Sequence, residues 1–444
     1  MSISRRSFLK NAAAASAAPF ILPSAVWSAD RSPNDRLVMG FIGTGKQSRG
    51  LLGAFLNHRV CQVVAVCDVD TTRRTDAQQR VNEFYTARPD RGTPDCGACV
   101  DFREIISRDD IDAVCIATPD HWHTIPVIAA LQSGKDVYCE KPLTHNVKEA
   151  IAIMDAVEKY ERVLQTGSMQ RSMKEFRVAC ELVRNGAIGK ISRVECSFGP
   201  PGVPCDLPEE EMEPGLDWDM WLGPAPERPY HSELSPRGMH DHFPNWRNYR
   251  EYGGGMVTDW GAHHLDIAQW GLGKDASGPD EIHPPEDSEA KSGATLFYDN
   301  AIKVVHTSGF GVHFFGEDGE VKVNRGKFEF WRDGEKLAGF VDREDGGSLG
   351  ATLSHVEEEY LKDAKVKLYE SPDHIRNFLD CVESREKPVT SEIVGGRSAI
   401  CCHLMNQAYY NHEVIKWNPE EMCFAENSGN PEWLTREYRE PWKI

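Results

Sequence analysis

The sequence predicts an α/β protein: a doubly wound parallel sheet in the first third, then an α+β region built on a large open, mostly antiparallel sheet. Three observations carry this. From residue 36 to about 165, apolar strand-like runs alternate with amphipathic helical stretches, the pattern of βαβ units. The first run, Leu37 to Ile42, ends in Gly43-Thr44-Gly45, a tight turn of the kind that leads from strand to helix in such sheets. Beyond about residue 170 the pattern changes. The runs Ala294 to Tyr298, Ile302 to His306 and Lys327 to Trp331 are set off by Asp299-Asn300, Glu317-Asp318-Gly319 and Arg332-Asp333-Gly334, which read as hairpin turns.

The organisation divides into residues 1–29, 30–165 and 166–444. In the first segment Ser4-Arg5-Arg6-Ser7-Phe8-Leu9-Lys10 matches the twin-arginine export consensus, and the Ala-rich stretch after it, broken by Pro19 and Pro23, is too short to span a bilayer. Small residues from Ser24 to Ala29 offer a cleavage site. The expected location is therefore periplasmic or otherwise exported, with the twin-arginine machinery as a partner. No later apolar run reaches about 18 residues, so no membrane span is expected.

In residues 30–165 each strand end offers a group suited to a dinucleotide. Gly43 and Gly45 let backbone approach a pyrophosphate, whose charge is favoured by the N-terminus of the helix that starts near Lys46. The second strand, Val63 to Cys67, ends at Asp68, where a carboxylate accepts hydrogen bonds from the adenosine ribose and repels a 2′-phosphate. This favours NAD. NADP stays possible, because Arg73 and Arg74 follow closely and Ser48 stands where the third glycine of the usual pattern is expected. The strand Ile111 to Ala117 runs into Thr118-Pro119-Asp120-His121-Trp122-His123, a loop placed over the cofactor, with Thr118, Pro119 and His123 among its contacts and Trp122 as a wall of the cleft. The next strand ends in Glu140-Lys141-Pro142, where a charged amine at the carboxyl end of a buried strand points to hydride chemistry.

A second constellation lies in Gly253 to Asp266. On a continuous helix Asp259 and His263 share a face, with Asp266 further along the same stripe. A histidine beside a carboxylate is suited to general-base work near neutral pH. His264 points away and reads as packing. Between 199 and 250 runs a loop rich in Pro and Trp; the rings of Trp218, Trp221 and Trp246 suit the apolar faces of pyranose sugars, or pack the loop itself.

Glu140-Lys141-Pro142, Thr118-Pro119-Asp120 with His123, and Asp259 with His263 and Asp266 together resemble the signature set of the Gfo/Idh/MocA family. The resemblance implies an N-terminal Rossmann domain in residues 30–165, a C-terminal substrate-binding and oligomerisation domain in residues 166–444, and sugar or polyol oxidation with bound NAD(P). By position it implies Lys141, Asp259 and His263 as the catalytic group, with Gly43, Thr44, Gly45, Lys46, Asp68, Thr118, Pro119, His123, Glu140 and Lys141 holding the cofactor. Some exported relatives run a redox-neutral glycosidase cycle instead, which stays open, as does non-catalytic sugar binding.

Composition sets outer limits. The formal net charge of −19 disfavours nucleic acid and anionic lipid and suits neutral or cationic small molecules. Thirteen cysteines include Cys67, Cys115 and Cys139 inside apolar runs, and one CxxC at Cys96 and Cys99, weak evidence for zinc, so no metal is expected. An open sheet with one uncovered face, and alternation in Ile302 to His306, predict a homodimer or homotetramer joined through the sheets.

Overall fold

The computed structural model describes residues 36–299 and 301–444; the export segment read at residues 1–29 lies outside them. Six strands form the first sheet: β1 (Leu37–Ile42), β2 (Cys61–Cys67), β3 (Gly97–Cys99), β4 (Ala113–Ile116), β5 (Asp136–Cys139) and β6 (Leu164–Thr166), in the order β3-β2-β1-β4-β5-β6 and all parallel. Every residue of β4 and β5 is buried, because helices cover both faces and leave no side of the pleat to water. The order reverses between β1 and β4, and at that point the carboxyl ends of the strands open a crevice.

One face of this sheet is completed from far along the chain. Helix His374–Ser384 inserts Phe378, which meets Phe55 and Tyr138 edge-on at centroid distances of 6.1 and 5.8 Å. Arg385, just past that helix, places both terminal nitrogens 2.8 Å from the carboxylate of Asp136 at the start of β5. Residues assigned by sequence to the C-terminal domain therefore pack as part of the N-terminal core.

The second sheet has ten strands: β7 (Ile191–Ser197), β8 (Glu281–His283), β9 (Thr295–Tyr298), β10 (Ile302–Thr307), β11 (Val312–Gly316), β12 (Gly319–Asn324), β13 (Lys327–Arg332), β14 (Glu335–Phe340), β15 (Ile415–Asn418) and β16 (Cys423–Phe424). Its order is β14-β13-β12-β11-β7-β10-β9-β8-β15-β16, antiparallel except where β7 lies beside β10. The turn between β13 and β14 has Asp333 at φ 51° and Gly334 at φ 81°, as a two-residue hairpin requires.

Helices Lys174–Arg184, Gly261–Leu272 and Glu392–Asn411 pack on one face of this sheet and share its core with Val194, Val304, Phe314 and Phe330. The apolar alternation of β10 belongs to that core: Val304 and His306 are buried against it. The side expected to be an apolar docking surface is of mixed character instead. Lys303 lies over Phe297, Arg193 over Phe315 at 4.2 Å, and Lys322 and Lys336 flank Trp331. Among the described residues no helix is long and apolar enough to cross a membrane.

Candidate active site

A cavity of about 440 Å³ lies between the crevice of the first sheet and the helical layer of the second. Gly43 shapes one end. Its φ is +82°, and a Cβ there would lie 2.7 Å from Thr118 N, so the exits of β1 and β4 meet only because position 43 lacks a side chain. Gly45 opens helix Lys46–Asn57 with no side chain capping it and nothing within 4 Å of its would-be Cβ. That leaves first-turn amides and open space for a phosphate, which is the fit a dinucleotide needs. Ser48, in place of the third glycine, is buried within the same helix.

Asp68 sits at the end of β2 and accepts from Thr44 N (2.7 Å), Thr44 Oγ1 (3.0 Å) and Asp70 N (2.9 Å). It braces the glycine turn and keeps acceptor capacity on Oδ1 for a ribose hydroxyl. The two arginines read as possible phosphate clamps are tied down. Buried Arg73 donates to Ser235 Oγ (3.1 Å) and Pro236 O, and Arg74 donates to Asp68 O (2.6 Å).

The two groups that hold Arg73 belong to a strap. The segment from about 199 to 250 leaves the second domain and crosses the mouth of the crevice. Thr71 N donates to Gly215 O, Asp217 N to Val69 O, and Lys46 and Arg49 reach Asp241 at 3.4 and 3.3 Å. Its tryptophans do more packing than display. Trp218 stacks on Trp221 at 4.6 Å, and with Tyr230, Trp246 and Tyr252 they form a small core of their own. Trp221 and Trp246 still present part of their surface to the cavity. Trp122 lines it too, its Nε1 donating to the carbonyls of Met220 and Trp221 at 3.0 Å.

His123, read as a cofactor contact, is a brace in the structure. Its Nδ1 lies 2.8 Å from Pro142 O and its Nε2 3.0 Å from Thr118 O, so both ring nitrogens face backbone while the ring lines the cavity. Burial pushes its pKa down to about 4. The brace sets Thr118 and Pro119 against the exit of β5. There Glu140 is buried, accepts from Gln47 Nε2 at 3.0 Å, and is pushed above the usual carboxylate range by desolvation. Thr118, Pro119, Glu140 and Lys141 all line the cavity.

At the other end Lys141 Nζ donates to the Asp259 carboxylate and, at 3.2 Å, to the Asp259 carbonyl. Burial raises the Asp259 pKa, but Lys141 and then Arg247 outweigh it and hold the carboxyl below its ordinary value. The expected pairing of His263 with a carboxylate does not occur. Trp260 joins Met256–Asp259 to Gly261–Leu272 with helical dihedrals, and Asp259 and His263 both line the cavity, but the Asp259 carboxylate bonds to Lys141. Asp266 goes to Arg171, with two contacts of 2.8 Å. His263 lines the cavity at 5 % exposure with its Nδ1 unpartnered among the described residues. Burial, then Lys141 and Arg325, keep it well below the ordinary histidine pKa and hence neutral. His264 packs as expected, its Nδ1 2.6 Å from Ser197 O.

Four lining residues had no place in the sequence reading of the site. Arg247, beside the noted Trp246, has Nε 3.7 Å from Asp259 Oδ1. Asp120 lay in the loop already singled out; it is buried, and desolvation raises its pKa well above normal. Trp260 is 38 % exposed at the mouth, and Arg325 projects from the β12–β13 hairpin over its ring at 4.7 Å. No local signal marks Arg325, because only the folding of the second sheet brings it here.

Comparisons with known proteins agree with this architecture. Residues 37–168 match the family model described as "Oxidoreductase family, NAD-binding Rossmann fold", and residues 202–444 its partner, "Oxidoreductase family, C-terminal alpha/beta domain". A glycosyl hydrolase family 109 protein of Shewanella pealeana is 26% identical over 214 residues, 45% of this chain and 46% of that protein. An inositol 2-dehydrogenase of Rhodococcus erythropolis is 35% identical over 128 residues, 28% of this chain and 37% of that protein. The chain thus spans less than half the length of these curated relatives. An aldose-aldose oxidoreductase of Caulobacter crescentus, solved with glycerol, shares the fold with TM-score 0.56 and 18% identity, covering 86% of this chain and 99% of that one.

Proposed function

The chain belongs to the Gfo/Idh/MocA oxidoreductase family, with an NAD-binding Rossmann domain, and on that premise we propose that it oxidises a hydroxyl of a sugar, polyol or glycoside with a tightly held, internally recycled NAD. The observation that carries the reading is the Lys141–Asp259 ion pair lining one cavity with a neutral, carboxylate-free His263 and the glycine turn.

Gly43, Gly45, Thr44 and Asp68 would hold the dinucleotide, with Thr118, Pro119, Glu140 and Lys141 along its path. When bound, NAD supplies the acceptor for the hydride that leaves the substrate carbon. The chain's own part is proton and charge management. His263, neutral at pH 7, takes the hydroxyl proton on its ring nitrogen. The Lys141 ammonium donates to the same substrate oxygen as negative charge develops. Asp259 acts through Lys141, fixing the direction of the amine, and not through the histidine. In the reverse half-cycle a second carbonyl compound would take the hydride back at its carbon and the proton from His263 at its oxygen, so that no free cofactor is consumed.

The strap supports retention. With Arg73, Lys46 and Arg49 bonded across the crevice mouth, release of a dinucleotide requires several contacts to part together. Retention suits a protein loaded with cofactor before export, and we propose the twin-arginine route for the motif at Arg5 and Arg6. We also propose a homodimer or homotetramer; light scattering that gives a monomer at micromolar concentration rules this out.

The same apparatus serves a second reading, a redox-neutral glycosidase, favoured by the similarity to family 109 hydrolases. A glycoside panel incubated with purified protein and no added NAD separates the two. Oxidation of one sugar coupled to reduction of another supports the oxidoreductase; release of aglycone supports the hydrolytic cycle. Binding without turnover overturns both.

A further inference from the structure

We propose that the substrate is an anionic sugar, a hexuronate or its glycoside, and that Arg325 with Arg247 recognises its carboxylate; this rests on the sugar-oxidising reading above. Three cations line the substrate half of the cavity: Lys141, Arg247 and Arg325. The first is committed to Asp259. Arg247 is only loosely paired, 3.7 Å from the same oxygen, with one terminal nitrogen on Pro244 O (3.2 Å) and its guanidinium over the Trp246 ring at 4.2 Å.

Arg325 has no ion-pair partner among the described residues. Its backbone is fixed at the hairpin tip, where Gly326 N donates to Glu175 Oε1 (2.9 Å). The guanidinium rests on Trp260, and its Nε faces the amide oxygen of Gln170 at 3.3 Å, while that amide's nitrogen donates to His263 O at the same distance. The nearby acids act on it only through space: Asp259 is bonded to Lys141 and lies 3.7 Å from Arg247, and Glu140 accepts from Gln47. Buried Asp120 faces Arg247 and Lys141. Of the three cations, Arg325 is the one with no carboxylate in contact among the described residues.

That is notable in a chain of net charge −19, which repels anions at long range and on which net charge alone points to neutral or cationic ligands. Two guanidiniums held over aromatic rings nonetheless put donors suited to an anion on the wall of this cavity. A neutral pyranose would leave the outer nitrogens of Arg325 to water. A carboxylate accepts the planar fork in two parallel hydrogen bonds. Trp260, exposed beside it, offers the flat apolar surface that the body of the sugar ring needs.

The test is a titration of purified holoprotein, followed by tryptophan fluorescence, with methyl glucuronide, methyl glucoside and glucose 6-sulfate. Binding is read separately from reduction of the bound nicotinamide. The proposal expects the uronide to bind at least about tenfold tighter than the neutral glycoside. In Arg325→Gln that ratio falls toward one, and in Arg325→Lys it is intermediate. Equal binding of uronide and neutral glycoside by the wild type overturns the proposal, as does a ratio that survives Arg325→Gln. A sulfate ester that binds as tightly as the uronide overturns the carboxylate assignment. Uronide-selective binding without nicotinamide reduction keeps the anion site while contradicting the oxidoreductase reading; reduction by neutral and acidic sugars alike does the reverse.

Discussion

The cofactor wall of the cleft is made of backbone from neighbouring strand ends, whereas the substrate wall is made of side chains from elements far apart in sequence. On the first, Gly43, Thr44, Asp68 and Thr118 meet because parallel strands deliver their carboxyl ends to one edge, and Thr44 N on Asp68 Oδ2 spans only 24 residues. On the second, Lys141 and Asp259 meet across 118 residues, and Arg325 arrives on a hairpin of the other sheet. The difference teaches where each wall is fragile. Backbone walls fail by steric intrusion; side-chain walls fail by loss of a charge.

The sharpest break falls on the substrate wall. Lys141→Met removes the proposed donor to the developing oxyanion and is expected to slow reduction of bound NAD by about a hundredfold to a thousandfold, with cofactor content unchanged. Rapid mixing with substrate, followed by the near-ultraviolet absorbance of reduced nicotinamide, reads it. On the cofactor wall Gly43→Ala should do the opposite. A Cβ 2.7 Å from Thr118 N at positive φ costs about 1–3 kcal/mol of strain, and the protein should purify depleted of nucleotide. Cofactor content after heat denaturation checks this.

A smaller effect is expected where the walls are tied together. Arg73→Met unties the strap from the helix after β2 and should speed dinucleotide release by roughly tenfold, without the loss of rate seen for Lys141→Met. Dilution into a NAD scavenger measures the release rate.

The smallest effect near neutral pH concerns buried histidines on both sides. Burial depresses His123, His264, His374 and His403 to about 4. Their folded values lie below the unfolded value near 6.5, so the unfolded chain takes up protons first as pH falls. Their contribution is complete above about 6.5 and is lost between there and about 4, by up to about 1.4 kcal/mol per pH unit for each group. Melting temperature should be flat from pH 8 to 7 and fall below 6.5; a rise on acidification would contradict the burial argument.

Legibility in the sequence followed the same division. The parallel sheet, its glycine turn and the Lys141 strand end were readable because each is a short contiguous pattern. So was the mostly antiparallel second sheet, whose turns carry residues such as Asp333 and Gly334. What failed needed knowledge of partners. A four-residue spacing puts Asp259 and His263 toward one cavity, but the Asp259 carboxylate finds its counter-charge in Lys141 and not in the histidine. His123 lines the cavity, with its ring nitrogens turned to two carbonyls that no local pattern announces. For Trp218 the sequence leaves sugar platform and loop packing both open, and the structure makes it a core residue of the strap. Arg325 had no pattern at all, since a hairpin tip reads as solvent until the sheet is folded beside the crevice.

Lys141 and His263 are proposed to act on substrate beside a cofactor that the protein does not release. The most direct measurement adds sugars and glycosides to purified protein with no free NAD and follows the nicotinamide signal in the wild type and in Lys141→Met. The wild type is expected to hold close to one NAD(H) per chain, reduced by an oxidisable substrate and reoxidised by a second carbonyl compound, and the variant to hold a cofactor that is barely reduced. Protein that purifies empty and works only when NAD is supplied, or a Lys141→Met variant that reduces its cofactor as fast as the wild type, would contradict it.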